Sequence, residues 1–256
     1  MDDIAYLGLI EDEEFELDVA ALRIAALDHA GIDLAPCIDL LGAIAETLIE
    51  QAGVAHTASD QAMALATVLG GEYGFVGDRD TYDDPANADL VRVLDRRRGL
   101  PVSLSILYVA AARRIGWRAD VLNTPGHVLI RVGPMPAALI VDPFDRGRIV
   151  GGVQSRAVGA PAGAMTNRAV LMRLLSNQAV RAEAAGDIAR AMTVFARMTV
   201  VAPDHAAGWW ERARLELALG DGTAARASLS ALLEVTRDPD LRRRAAATMA
   251  SLPTPR

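Results

Sequence analysis

Apolar and polar positions follow a helical period through most of the first 115 residues. In EFELDVAALRIAALDHA, residues 14–30, Phe15, Val19, Leu22, Ile24, Ala25 and Leu27 form a broad apolar stripe, and Gly31 supplies a stop. The run IDLAPCIDLLGAIAETLIEQAG repeats the pattern, with Pro36 tolerated near its start and Gly53 ending it. A shorter helix, SDQAMALATVLGGEYGF, has Ser59 as its cap. Segment 76–89, VGDRDTYDDPANAD, is dense in Gly, Asp, Asn and Pro and reads as a structured loop before a helix carrying Leu90, Val93 and Leu94. Gly99 breaks that helix and Pro101 suits the first turn of the next, PVSLSILYVAAARRIG. Leu104, Leu107, Tyr108, Ala111 and Ala112 share one face of it, which predicts a central place in the core.

After Gly116 the period changes from 3.6 to 2. WRADVLN, HVLIRV and ALIVDPF read as strands, with the turn-forming GPMPA between the last two. Three strands packed on helices predict an α+β domain over residues 1–150. Residues 146–166 then turn rich in Gly, Ala and Pro, and 151–166 is expected to be a linker. From 167 to 252 the chain is helical and repeats itself: Gly186-Asp187 recurs as Gly220-Asp221, 34 residues later. Ala191 and Phe195 in the first unit correspond to Ala225 and Leu229 in the second. Pro203 and Pro239 follow the two units, and Trp209 takes the place that Leu175 holds in the first. This spacing resembles tetratricopeptide repeats, which implies an all-α pair of helical hairpins with those residues buried.

Composition narrows the functional classes. With 52% hydrophobic residues the chain can bury a real core, yet charges interrupt each apolar stretch before the roughly 18 residues a membrane span needs. The start, MDDIAYLGLIEDEEFELD, is acidic where an export signal is basic, so a cytoplasmic protein is expected. A net charge of −7 disfavours nucleic acid and anionic lipid as partners. The basic runs Arg96-Arg97-Arg98 and Arg242-Arg243-Arg244 lie towards helix ends and read as solvated or capping residues. The lone Cys37 forms no internal disulfide and, among Ile38, Leu40 and Leu41, reads as a small buried hydrophobe. No Cys/His/Asp cluster has metal-ligand spacing and no glycine motif cradles phosphate, so neither a metal nor a cofactor is expected.

One pair of residues suggests chemistry. If HVLIRV and ALIVDPF pair about Pro134-Met135, His127 lies opposite Asp142, with Cβ atoms roughly 4.5–5.5 Å apart. A carboxylate at that distance can orient an imidazole, as in a triad whose nucleophile comes from a helix N-terminus. The plainer alternative is a surface histidine at a strand start and an Asp-Pro that begins a turn.

The order of a central helix ending in RxxG, a strand, a His opening a second strand and an Asp-Pro closing a third resembles the transglutaminase-like (papain-like) superfamily, whose members use Cys, His and Asp. Tyr82, Asp84-Pro85, Asn87, GLPVSLSILY, PGHVLIRV and VDPFDRG resemble its bacterial SirB-type branch, and Arg173, Leu175 and Asn177 resemble the phrase that introduces a tetratricopeptide-like tail there. The resemblance implies His127 as base and Asp142 as orienting acid, but no Cys stands near the start of the helix at Pro101. Ser103 is the better hydroxyl candidate and Ser105 the packing residue one turn inside. Two functions follow. One is a non-catalytic domain that binds a protein or peptide in the former active-site groove; the other is an amide hydrolase or acyl transferase using Ser103, His127 and Asp142. A third, binding through the helical tail alone, has little concave surface to work with in two repeats.

Overall fold

The computed structural model describes residues 4–52, 54–124, 127–153 and 163–252. Gly53, expected to end the second helix, and 154–162, most of the expected linker, lie outside the described residues. The chain divides into two compact units, Glu11–Leu174 and Met1–Ile10 with Leu175–Arg256. The first ten residues are thus grouped with the C-terminal helices.

The larger unit is mixed α+β. Its helices are α1 (Leu17–Ala26), α2 (Ala35–Ala52), α3 (Ala58–Leu65), α4 (Leu90–Arg96) and α5 (Pro101–Arg114). Thr57, not Ser59, caps α3: its hydroxyl accepts from the Asp60 amide while the Asp60 carboxylate faces the Thr57 amide, a reciprocal box that places the cap two residues before the expected one. α3 then runs on as a π-helical segment, Ala66–Glu72. α5 is the hydrophobic axis. Every residue from Pro101 to Ala112 is buried, and a buried Leu or Ile side chain contributes about 1.5–3 kcal/mol.

Beside α5 lies a four-stranded antiparallel sheet in the order β3 (Ala119–Thr124), β4 (His127–Val132), β5 (Leu139–Asp142), β6 (Arg148–Gly152). A separate parallel pair is formed by two short strands, β1 (Val76–Gly77) and β2 (Arg98–Gly99), within segments read as loop and helix end. β6 is an addition to the three expected strands. Its two glycines and exposed Arg148 and Ile149 carry no alternation, so backbone pairing to β5 alone makes it a strand.

The β4–β5 register also differs from expectation. Ile130 pairs with Val141 and Arg131 with Ile140, so the ladder is displaced by two residues and carries His127 diagonal to Asp142 rather than opposite it. The cause lies in the turn. Pro134 and Pro136 have no N–H to donate and Gly133 adopts φ 92°, so pairing begins only at Val132–Leu139. An even displacement keeps every side chain on its original face.

In the second unit, the later part of α6 (Asn167–Ala184) is followed by α7 (Ile188–Val201), α8 (Ala206–Ala218), α9 (Gly222–Val235) and α10 (Pro239–Ser251). The two Gly-Asp repeats do the same work. Gly186 and Gly220 take left-handed φ of 77° and 81°, and Asp187 and Asp221 then cap α7 and α9 by accepting from the Arg190 and Ala224 amides. Ala191, Phe195, Ala225 and Leu229 are all buried. Leu229 joins Ala213, Leu232 and Ala245 in a cluster flanked by Trp209 and Trp210. The 3-10 turn Ala5–Gly8 packs on α7. No helix among the described residues is long and apolar enough to cross a membrane.

Candidate functional site

The loop between β1 and α4 is held by a buried carboxylate. Asp78 accepts from the Thr81 amide at 2.9 Å, the Thr81 hydroxyl at 2.7 Å and the Arg96 guanidinium at 3.0 Å. Burial pushes its pKa upward, but the Thr81 and Asn87 hydrogen bonds and the Arg96 charge outweigh this and hold it at about 2. Asn87, fully buried, donates to the carbonyls of Thr81 and Tyr82 and accepts from Arg96. Arg96 is therefore a structural tie, and Arg97 packs its guanidinium over Phe75 with left-handed backbone. Arg97 is thus the C-cap residue of α4, in keeping with the capping role that the sequence suggests, whereas Arg96 is tied to the loop rather than solvated.

That loop meets α5 at Ser103. The Ser103 hydroxyl donates to the Asn87 carbonyl at 2.8 Å, and the residue is 0% exposed. Ser105 is equally buried; neither its hydroxyl nor that of Tyr108 has a hydrogen-bond partner among the described residues. Burial pushes the Tyr108 phenol well above its ordinary pKa.

At the adjacent ends of β4 and β5, His127 Nε2 lies 3.0 Å from Asp142 Oδ1. The long imidazole spans the diagonal that the shifted register creates. Asp142 is held in turn by the Phe144 amide, which donates to Oδ1 at 3.0 Å as the carboxylate caps the 3-10 turn Pro143–Asp145. Thr124 pins the strand start by donating to the His127 carbonyl. With Nε2 turned to the carboxylate, a neutral imidazole carries its proton there and its lone pair on Nδ1. The structure therefore brings His127 and Asp142 together. It does not bring the Ser103 hydroxyl to them, because that proton is given to the Asn87 carbonyl.

Phe144 completes the surface around His127. Its ring stands edge-to-face with His127 at 6.1 Å and with Tyr82 at 6.0 Å, and Arg79 lies over it at 5.6 Å. Beneath it is Gly77, where a Cβ would come within 2.4 Å of ring atoms. Sequence reading singled out Tyr82 and Asn87 only through resemblance, and missed Asp78, Arg79 and Phe144 as site residues. The DPF run was the available signal for Phe144.

Cys37 sits half-buried in α2, less covered than a core residue, in a pocket of about 430 Å³ with His29, Asp95 and Arg97. His29 Nε2 is 2.6 Å from Asp89 Oδ2. Cys37 of α2 and His29, just beyond α1, thus line one pocket, and His29 faces Asp89, the cap of α4. Burial, and then the Asp95, Asp33 and Asp89 carboxylates, push the thiol pKa up, which keeps the nucleophilic thiolate scarce. A larger cavity of about 780 Å³ lies among residues 12–18, the end of α5 and residues 164–167. Within its lining Arg114 pairs with Asp18 and Glu16, and Arg113 with Asn167 and Asp120.

The profile of the transglutaminase-like superfamily matches residues 36–181, which contain α2 to α5, the sheet and the His127–Asp142 pair. The chain belongs to the transglutaminase-like superfamily. This transglutaminase-like chain is 32% identical over 142 residues to a UPF0162 protein of Xylella fastidiosa, covering 56% of this chain and 50% of that one. It is 29% identical over 250 residues to the UPF0162 protein PA3419 of Pseudomonas aeruginosa, covering 92% and 90%. A shorter match, 35% over 82 residues, joins it to the mouse F-box only protein 21, covering 32% of this chain and 13% of that one. The chain thus spans about half the length of the Xylella relative it matches. Among solved structures it is similar to menin, with TM-score 0.45 and 12% identity over 98% of this chain and 75% of that chain.

Proposed function

We propose that this chain is a non-catalytic transglutaminase-like protein of the SirB-type branch that binds a protein or peptide over the His127–Asp142 site. The observation that carries the reading is the buried Ser103 hydroxyl, committed to the Asn87 carbonyl. A nucleophile must reach both its base and a substrate carbonyl at roughly 3 Å, and a group with no exposed surface reaches neither. The Gly-Asp repeat, its paired caps and the burial of Ala191, Phe195, Ala225 and Leu229 support a tetratricopeptide-type tail. The second reading, a Ser103-dependent amide hydrolase or acyl transferase, is favoured by one feature, the 3.0 Å His127–Asp142 contact. It requires Ser103 to leave Asn87 and become accessible.

The two readings separate in an esterase and amidase assay on the intact chain. The expected result is no turnover above buffer for the wild type, with Ser103→Ala unchanged. A photo-crosslinker at Tyr82 should capture a partner identifiable by mass spectrometry, and His127→Ala should lose it. Wild-type turnover that disappears in both Ser103→Ala and His127→Ala would overturn the binding reading, because members of a triad fail together. Cys37→Ser should leave either readout within twofold of wild type, since the thiol is held protonated beside carboxylates. Loss of turnover or capture in that variant, with the fold intact by circular dichroism, would move the site to the His29 pocket.

A further inference from the structure

We propose that the half-buried Phe144 ring receives a cationic side chain of a partner, arginine above lysine, and that Arg79 occupies this receptor in the free chain. The inference rests on the binding reading of the same site and names the chemistry of what binds.

The geometry is that of an aromatic receptor. Gly77 leaves room for the Phe144 ring to lie directly on the main chain, so one side of the ring is sealed. Tyr82 and His127 stand edge-to-face with it, at interplanar angles of 70° and 89°, and wall the ring. Phe144 is half-buried rather than enclosed, and an aromatic π-face carries a negative potential that attracts a cation. The chain itself shows which ligand suits that face, because the Arg79 guanidinium carbon lies 5.6 Å from the ring centroid.

Arg79 is weakly held there. It is 65% exposed, and its ion pair is a 3.4 Å contact to Asp145, which the Arg148 guanidinium grips more closely at 2.5 Å. Little is lost when Arg79 swings into water. Its departure leaves the Asp145 carboxylate, shared with Arg148, as an anionic group that a replacing cation would meet beside the ring. Arginine suits the site better than lysine. A planar guanidinium stacks on the ring while its N–H groups reach a carboxylate, whereas an ammonium holds its water more strongly.

The inference makes an unusual demand: removing a cation should strengthen the binding of a cation. With the intact chain, N-acetyl-arginine N-methylamide is titrated to millimolar concentration while the Phe144 ring and His127 imidazole signals are followed by NMR. The uncharged citrulline analogue is the control. The arginine probe should shift these signals saturably and citrulline several-fold more weakly. Arg79→Ala should tighten the arginine probe about two- to five-fold by removing the internal competitor, and Phe144→Leu should abolish the effect. Unchanged or weaker binding in Arg79→Ala, or no shift with either probe, overturns the receptor. Equal shifts from both probes also overturn it while leaving the binding reading intact. Failure of the binding reading is distinct, since it appears as Ser103-dependent turnover.

Discussion

Asp78→Ala is expected to destabilise the α+β unit by about 3–5 kcal/mol, the range for breaking a buried ion pair from one side. The side chain is 1% exposed and gathers the Thr81 amide, the Thr81 hydroxyl, the Asp80 amide and the Arg96 guanidinium. Truncation strands these donors together and leaves a partly buried cation without its closest anion. Asp78→Asn keeps the shape and one acceptor and should cost less. Hydrogen exchange over residues 76–99 reads the effect locally, and a loss of under 1 kcal/mol would show that Asn87 alone organises the loop. The acid dependence has a defined sign. The folded pKa of about 2 lies below the ordinary 3.8, so this stabilisation is fully present above pH 4 and is lost as pH falls towards 2. In Asp78→Asn that acid-sensitive part of the unfolding profile should flatten. The outcome bears on function because Asn87, set by the same loop, holds the Ser103 hydroxyl. A loosened loop is also the most direct way to free that serine.

Phe195→Ala is expected to cost the C-terminal unit about 3–5 kcal/mol, as truncation of a core aromatic does. Phe195 is 4% exposed on α7, one turn from the fully buried Ala191. Truncating a buried ring opens a cavity that packed helices close only in part. Limited proteolysis, read by mass spectrometry, should show cuts appearing first within residues 188–251 while 17–142 stays protected. Unchanged protection of the helical unit would mean that Phe195 is not a packing centre and that the 34-residue register does not describe its core.

The elements that could be read from sequence share one property: their hydrophobic period is complete within the element. α5 is the clearest case, with Pro101 at its first turn and Gly116 just beyond its last. The Gly-Asp repeat predicted two turns because a left-handed glycine and a capping aspartate act within four residues of each other. Elements defined by pairing were less visible. β1 and β2 are two residues each, and β6 carries glycines in place of a pattern. Arg96 shows the same limit in a side chain. Its place at a helix end suggested solvent, but its partners Asp78 and Asn87 come from a loop nine or more residues away.

By itself, the sequence determined the α+β class, the central apolar helix, the facial parity of His127 and Asp142 and the absence of a cysteine near Pro101. Each follows from local periodicity or from residue identity. Tertiary structure decided the rest. It displaced the β4–β5 ladder by two residues through the Pro134 and Pro136 turn, yet kept the pair in contact because strand side chains repeat every second residue. It sealed Ser103 against Asn87, joined Cys37 with His29 in one pocket and laid Phe144 between Gly77 and Arg79. These contacts link residues far apart in the chain, and their geometry is set by how closely packed backbones approach, which no periodicity along the sequence records.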